Sequence, residues 1–383
     1  MRRAYAVTAA LLVTLTACAG DPVGPSTSAS GTPRGSASPS PTDDTSDPTP
    51  NPSESVSGGG TADAPEVVTP GTELLDWTSV PGPVESTVTV SGDWTLTVPA
   101  DRSRAVLAGP SPLTVPAGRR ATISDTFLDE SYALVVSQDR LEERPSTATV
   151  TELATGRTLT IDGDSDVPTV SGGTWALGGG TAVHATYDAD GAYCVASVNL
   201  ETGTSQVPWC APPRSGFSNA RLTDLGDLTL LTFDDSRPSC RTVAFLGGAG
   251  ELTPFDGVPE CKGWEGISLP GGGRVWTVIP DEKRIENARV YAAADGGYYD
   301  LGPATSGSLI RCDGAAYFSR DPGREGEPAR VLRWSEDLSL DVVYEAPAAK
   351  DGFLAGPPRC GGHDLTVTAL TAAGDEQVTA RLG

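Results

Sequence analysis

Few residue types in this chain could carry chemistry. It has only two histidines, His184 and His363. A zinc centre would need both beside free carboxylates, and no His-Glu-x-x-His run is present. A serine hydrolase would need a Gly-x-Ser-x-Gly elbow, which is also missing. No serine lies three residues before Lys262, Lys283 or Lys350, so a Ser-x-x-Lys acylase is excluded. Neither a phosphate-binding loop nor a dinucleotide-binding glycine motif occurs, and no cofactor is expected. Asp162, Asp164 and Asp166 alternate like the ligands of a calcium loop. However, Val167 stands where that loop needs glycine and Gly173 where it needs an acid, so an acidic turn is the simpler reading. The sequence thus offers no catalytic residue.

Cysteine is the one remaining reactive type. Apart from Cys18 the chain has Cys194, Cys210, Cys240, Cys261, Cys312 and Cys360. Six cysteines allow fifteen pairings, and the surrounding pattern selects one. Cys194 and Cys210 lie symmetrically about a turn near Thr202, and Cys240 and Cys261 do the same about Ala249-Gly250. Cys312 and Cys360 are 48 residues apart, close to the period described below. Pairs 194–210, 240–261 and 312–360 are therefore expected as structural disulfides, since no Cys-x-x-Cys occurs.

Composition fixes the setting. The formal charge of −23 argues against a nucleic-acid partner, because no basic stripe could offset phosphate repulsion. Arg2-Arg3, the mainly apolar run 6–16 and a small-residue end mark residues 1–17 as a signal peptide. Leu15-Thr16-Ala17-Cys18 resembles a bacterial lipobox. That resemblance implies cleavage before Cys18, lipid on its sulfur and a membrane-anchored protein on the extracytoplasmic face. The excess of Arg over Lys and the Ala/Gly/Pro/Thr bias resemble exported proteins of high-GC actinobacteria. Residues 18–70 are rich in Pro, Ser, Thr and Gly and read as a disordered tether, with a coil dimension of about 40 Å.

From residue 71 to 383 a pattern repeats. Strand-like runs end in Asp101, Asp139, Asp188, Asp234, Asp281 and Asp321, at spacings of 38 to 49 residues. A short run precedes each and a hairpin follows, giving four strands per unit. This is the arithmetic of an all-β seven-bladed β-propeller, with six or eight blades as alternatives. The last unit, 353–383, supplies only three strands, and the run 74–80 is expected to close it from the N-terminal end. Tandem β-sandwiches would instead show a compositional break, which is absent.

Leu153-Ala154-Thr155-Gly156 and Leu200-Glu201-Thr202-Gly203 resemble the Leu-x-Thr-Gly turns of quinoprotein-like (PQQ-like) and YVTN-type propeller repeats. The resemblance implies the fold; the scattered tryptophans lack the family's docking signature, so no quinone cofactor is carried over. The expected function is a non-catalytic binding or scaffolding propeller displayed in the cell envelope, with an envelope protein or glycan as partner. The alternative is a carbohydrate-active or other hydrolytic propeller using Asp/Glu in its central funnel. That reading requires two convergent carboxylates roughly 5–10 Å apart with raised pKa values.

Overall fold

The computed structural model describes residues 64–324, 326–347 and 352–383. The signal segment, Cys18 and most of the tether lie outside the described residues. Within them the only helical pieces are two short 3₁₀ turns, Pro270–Gly272 and Ile285–Asn287, and everything else is strand and loop.

The strands form antiparallel meanders arranged as a β-propeller. One contains Thr87–Ser91, Trp94–Val98, Arg104–Ala108 and Leu113–Pro116. A second runs from Trp175–Gly178 to Ser205–Cys210, and a third from Ser215–Leu222 to Leu252–Pro254. Two more run from Gly263–Ser268 to Gly297–Pro303 and from Ile310–Cys312 to Leu340–Glu345. These are five discrete blades, where the sequence spacing predicts seven.

The remaining strands merge into one nine-stranded sheet. Its two halves, Ala121–Leu128 to Thr158–Ile161 and Arg359–Gly361 to Glu376–Arg381, meet where Gly361 pairs in parallel with Leu128. Gly361 also lies against the strand Thr87–Ser91, where a Cβ would run into the backbone carbonyl of Val90. The spacing of strand runs carries no trace of this contact.

The N-terminal leg binds three outer edges in turn. Glu66–Val67, in the stretch read as tether, adds in parallel to Gly297–Pro303, and Gly71–Thr72 adds to Leu340–Glu345. Thr78–Ser79 then pairs antiparallel with Glu376–Arg381, as expected for the closing strand. The Trp77 indole N–H donates to the Val343 carbonyl at 2.9 Å. Edges that could template aggregation are thereby covered.

Alternating side chains along each strand put one apolar row on each face, and facing rows fill the spaces between neighbouring sheets. Trp334, Phe318 and Leu301 fill one such space, and Tyr317, Leu365 and Val367 the next. Between the first meander and the strand Asp364–Leu370 the contacts are polar instead. The Gly92 N–H donates to Asp364 Oδ2 at 2.7 Å, and Gln377 Nε2 donates to the Ser86 carbonyl at 3.1 Å. The ring therefore has a polar seam.

The repeated sequence signals are structural. The carboxylates of Asp101, Asp139, Asp188, Asp234 and Asp281 each accept the N–H two residues ahead, capping the turn that follows the strand. In the Leu-x-Thr-Gly turns, Leu153 and Leu200 are buried in the core. The Gly156 and Gly203 N–H groups donate to the Glu152 and Asn199 carbonyls at 2.8 Å. Both glycines have positive φ, 71° and 75°, which side chains resist.

Candidate functional site

The innermost strands enclose a central channel of about 2050 Å³. Three of these strands are irregular there. Ala121–Leu128 carries a bulge between Ile123 and Asp125, Ser215–Leu222 one between Ser218 and Arg221, and Gly263–Ser268 one between Gly263 and Glu265. A bulge breaks the two-residue alternation and re-aims the next side chain. Asp125, Arg221 and Glu265 follow the three bulges, and all three line the channel. Two of the bulges touch: Asn219 Nδ2 donates to the Trp264 carbonyl at 3.3 Å. Asn219 also has φ of 52°, a conformation that asparagine tolerates.

The lining is rich in guanidinium groups. Among the described residues, seven arginines border the channel and neither Lys262 nor Lys283 does. Arg359 Nε donates to Thr89 Oγ1 at 2.8 Å, and its Nη2 to the Thr126 carbonyl and hydroxyl at 2.8 and 2.9 Å. Arg102 Nη2 donates to the Ser124 carbonyl at 2.9 Å. The two arginines thus grip the strand on either side of Asp125. Arg221 Nη2 lies 3.4 Å from Glu265 Oε1, and Glu265 Oε2 accepts the Gly307 N–H at 2.9 Å. Farther round, Arg311 pairs with Asp224, and Arg333 with Glu73 and Asp341. Arg241 lies over the Trp264 ring, 4.8 Å from its centroid, a cation–π arrangement.

Burial dominates the electrostatics. It pushes the Asp125 carboxyl above the ordinary range, against the opposing fields of Arg102, Arg359 and Arg221. Burial also raises Glu265, although Arg221 opposes it, and raises Asp129, which caps a turn through the N–H groups of Ser131 and Tyr132. Desolvation lowers the Arg359 guanidinium to about 10, with Asp125 pulling the other way.

His363 sits at the channel rim. Its Nδ1 is 2.6 Å from Asp313 Oδ1 and its Nε2 3.0 Å from Glu130 Oε1. His184 is buried in the strand Thr181–Tyr187, stacked on Trp175 with ring centroids 5.2 Å apart. The histidines are separate, one in the core and one between two carboxylates.

Three disulfides join the expected partners: Cys194–Cys210, Cys240–Cys261 and Cys312–Cys360. Cys194 and Cys210 are direct cross-strand partners. Cys261 differs from the expected position: it lies beyond the hairpin strand Leu252–Pro254, so its bridge ties a loop to a strand. Cys312–Cys360 joins the innermost strands Ile310–Cys312 and Arg359–Gly361. Asp162, Asp164 and Asp166 lie outside the channel lining. Asp162 Oδ1 accepts the Asp164 N–H, and the three carboxylates do not gather at one point. Among the described residues, the two groupings with metal-ligand proximity both contain disulfide cysteines, whose sulfurs are already spent.

The channel arginines carry no sequence motif. Arg102, Arg221 and Arg359 come from three different units at unrelated spacings. The excess of Arg over Lys was the only signal, and it does not locate them.

No protein-family model matches the chain, and no curated protein matches it. Solved structures do. The β-propeller domain of the Trilobed protease from Pyrococcus furiosus aligns with a TM-score of 0.51 at 12% identity, over 77% of this chain and 95% of that one. Oligogalacturonate lyase from Vibrio parahaemolyticus aligns at 0.50 and 12%, over 82% and 99%. Prolyl oligopeptidase B from Galerina marginata aligns at 0.51 and 11%, over 76% of this chain but only 48% of its own. At these identities the similarity shows the β-propeller fold alone.

Proposed function

We propose that this ring is a non-catalytic binding module whose recognition site is the central channel. The supporting observation is how the buried carboxylates of the channel are used. Asp125 lies between Arg102 and Arg359, Glu265 is held by Arg221 and the Gly307 N–H, and Asp129 caps a turn. Glu265 and Asp129 are engaged by the ring's own donors, and the arginines beside Asp125 are spent on the neighbouring Ser124 and Thr126 carbonyls, whereas a general acid and base would face open space.

The module works outside the cytoplasm, anchored through lipid on Cys18 and held off the membrane by the tether. Three disulfides favour an oxidising compartment. Its partner is an envelope protein or glycan. Cross-linking and affinity capture from the native envelope, with the full chain as bait, tests this reading. One reproducibly enriched partner supports it, and none overturns it.

A hydrolytic reading has one observation in its favour: burial raises both Asp125 and Glu265 within the same channel. Turnover of an envelope glycan that is lost in both Asp125→Asn and Glu265→Gln would replace the binding reading with this one.

A further inference from the structure

The chain is acidic overall, with 27 basic against 50 acidic residues, yet seven arginines line the channel. Arg102 and Arg359 donate to the Ser124 and Thr126 carbonyls on either side of Asp125, and Arg221, paired with Glu265, lines the same channel. Arg102 and Arg221 also act on Arg359. Of the three guanidiniums, Arg221 forms an ion pair, with Glu265. Among the described residues neither Arg102 nor Arg359 forms an ion pair; their hydrogen bonds end on carbonyl and hydroxyl oxygens. Arg221 Nε is buried without a partner. Arg102 is exposed, while Arg221 and Arg359 are partly withdrawn from water, where charge is costly unless it is matched, and a planar guanidinium is matched best by a carboxylate or phosphate that accepts two parallel bonds.

We infer that Arg102, Arg221 and Arg359 form an oxyanion site, which binds a carboxylate or phosphate group of a ligand lying in the central channel. The inference rests on the channel being the recognition site and names the chemistry recognised there. Arg241 stacked on Trp264 offers a flat cationic–aromatic surface for the rest of the ligand. At about 2050 Å³ the channel exceeds the few hundred to about 1000 Å³ typical of small-molecule pockets. It therefore suits an extended chain that carries anionic groups.

The test is calorimetric titration of the full chain, at low ionic strength, with inorganic phosphate and separately with succinate. Saturable binding of at least one is expected, and the stronger of the two identifies the anionic group. Arg102→Gln should weaken it roughly tenfold, as for loss of one charge-assisted donor. Arg284→Gln, an exposed arginine outside the channel lining, should leave it unchanged. Arg359→Lys, which keeps the charge and removes the fork, is the second variant should Arg102→Gln not fold. Absence of saturable binding for both anions overturns the inference, as does undiminished affinity in the folded channel variants. Successful partner capture alongside absent anion binding would refute this inference alone and leave the binding-module reading standing.

Discussion

Arg359 donates to both the carbonyl and the hydroxyl of Thr126, at 2.8 and 2.9 Å, across 233 residues of sequence. The same guanidinium reaches Thr89, so one side chain joins the innermost strands of the first unit and of both halves of the nine-stranded sheet. It does so at the polar seam, where no apolar cluster holds the ring closed. Arg359→Met should therefore lower stability by about 1–3 kcal/mol, the cost of leaving partly buried acceptors unsatisfied. Denaturant unfolding at constant m-value measures this.

Gly361 packs its backbone against Val90 at that seam. Alanine there would press its Cβ on the Val90 carbonyl, a backbone group that cannot swing aside. Gly361→Ala should cost roughly 1–3 kcal/mol, as overpacking does, while Gly248→Ala bears on a turn position with no neighbour in reach. A smaller loss at 361 than at 248 would contradict the described contact.

The disulfides should differ in weight. Cys312–Cys360 closes 48 residues and Cys194–Cys210 only 16. The chain-entropy relation gives about 4 and about 3 kcal/mol respectively. Paired Cys→Ala replacements, compared by equilibrium unfolding, should rank in that order.

His184 makes stability depend on pH. Burial holds its pKa below the ordinary value, with the Ala185 carbonyl opposing. The unfolded chain takes up this proton near pH 6.5, the folded ring only at lower pH. Below that value the unfolded state binds more protons, so the stability conferred by neutral His184 is complete at higher pH and declines as pH falls. The wild type should lose more stability than His184→Phe between pH 7 and 5, because phenylalanine keeps the stack on Trp175 and does not titrate. Equal losses would refute the assignment.

These tests also show where sequence reading reached its limit. The closing strand near Thr78 and the cysteine pairs were legible because they follow from a local period and a three-stranded last unit. The Asp-ended runs located the strands, and five of the six aspartates cap the turns that follow them. The channel was not legible. Asp125, Arg221 and Glu265 face inward because of bulges, which shift the side-chain alternation by one residue and leave no compositional mark. The Leu128–Gly361 contact, which merges two units into one sheet, depends on two positions far apart in the chain.

The central claim, that recognition takes place in the channel, is tested most directly by site-specific photo-cross-linking in the native envelope. Leu225 is exposed at the channel and Leu141 is exposed outside its lining. A photoreactive residue at 225 should capture the partner and one at 141 should not. Capture from 141 with none from 225 would place recognition on the outer surface and contradict the account.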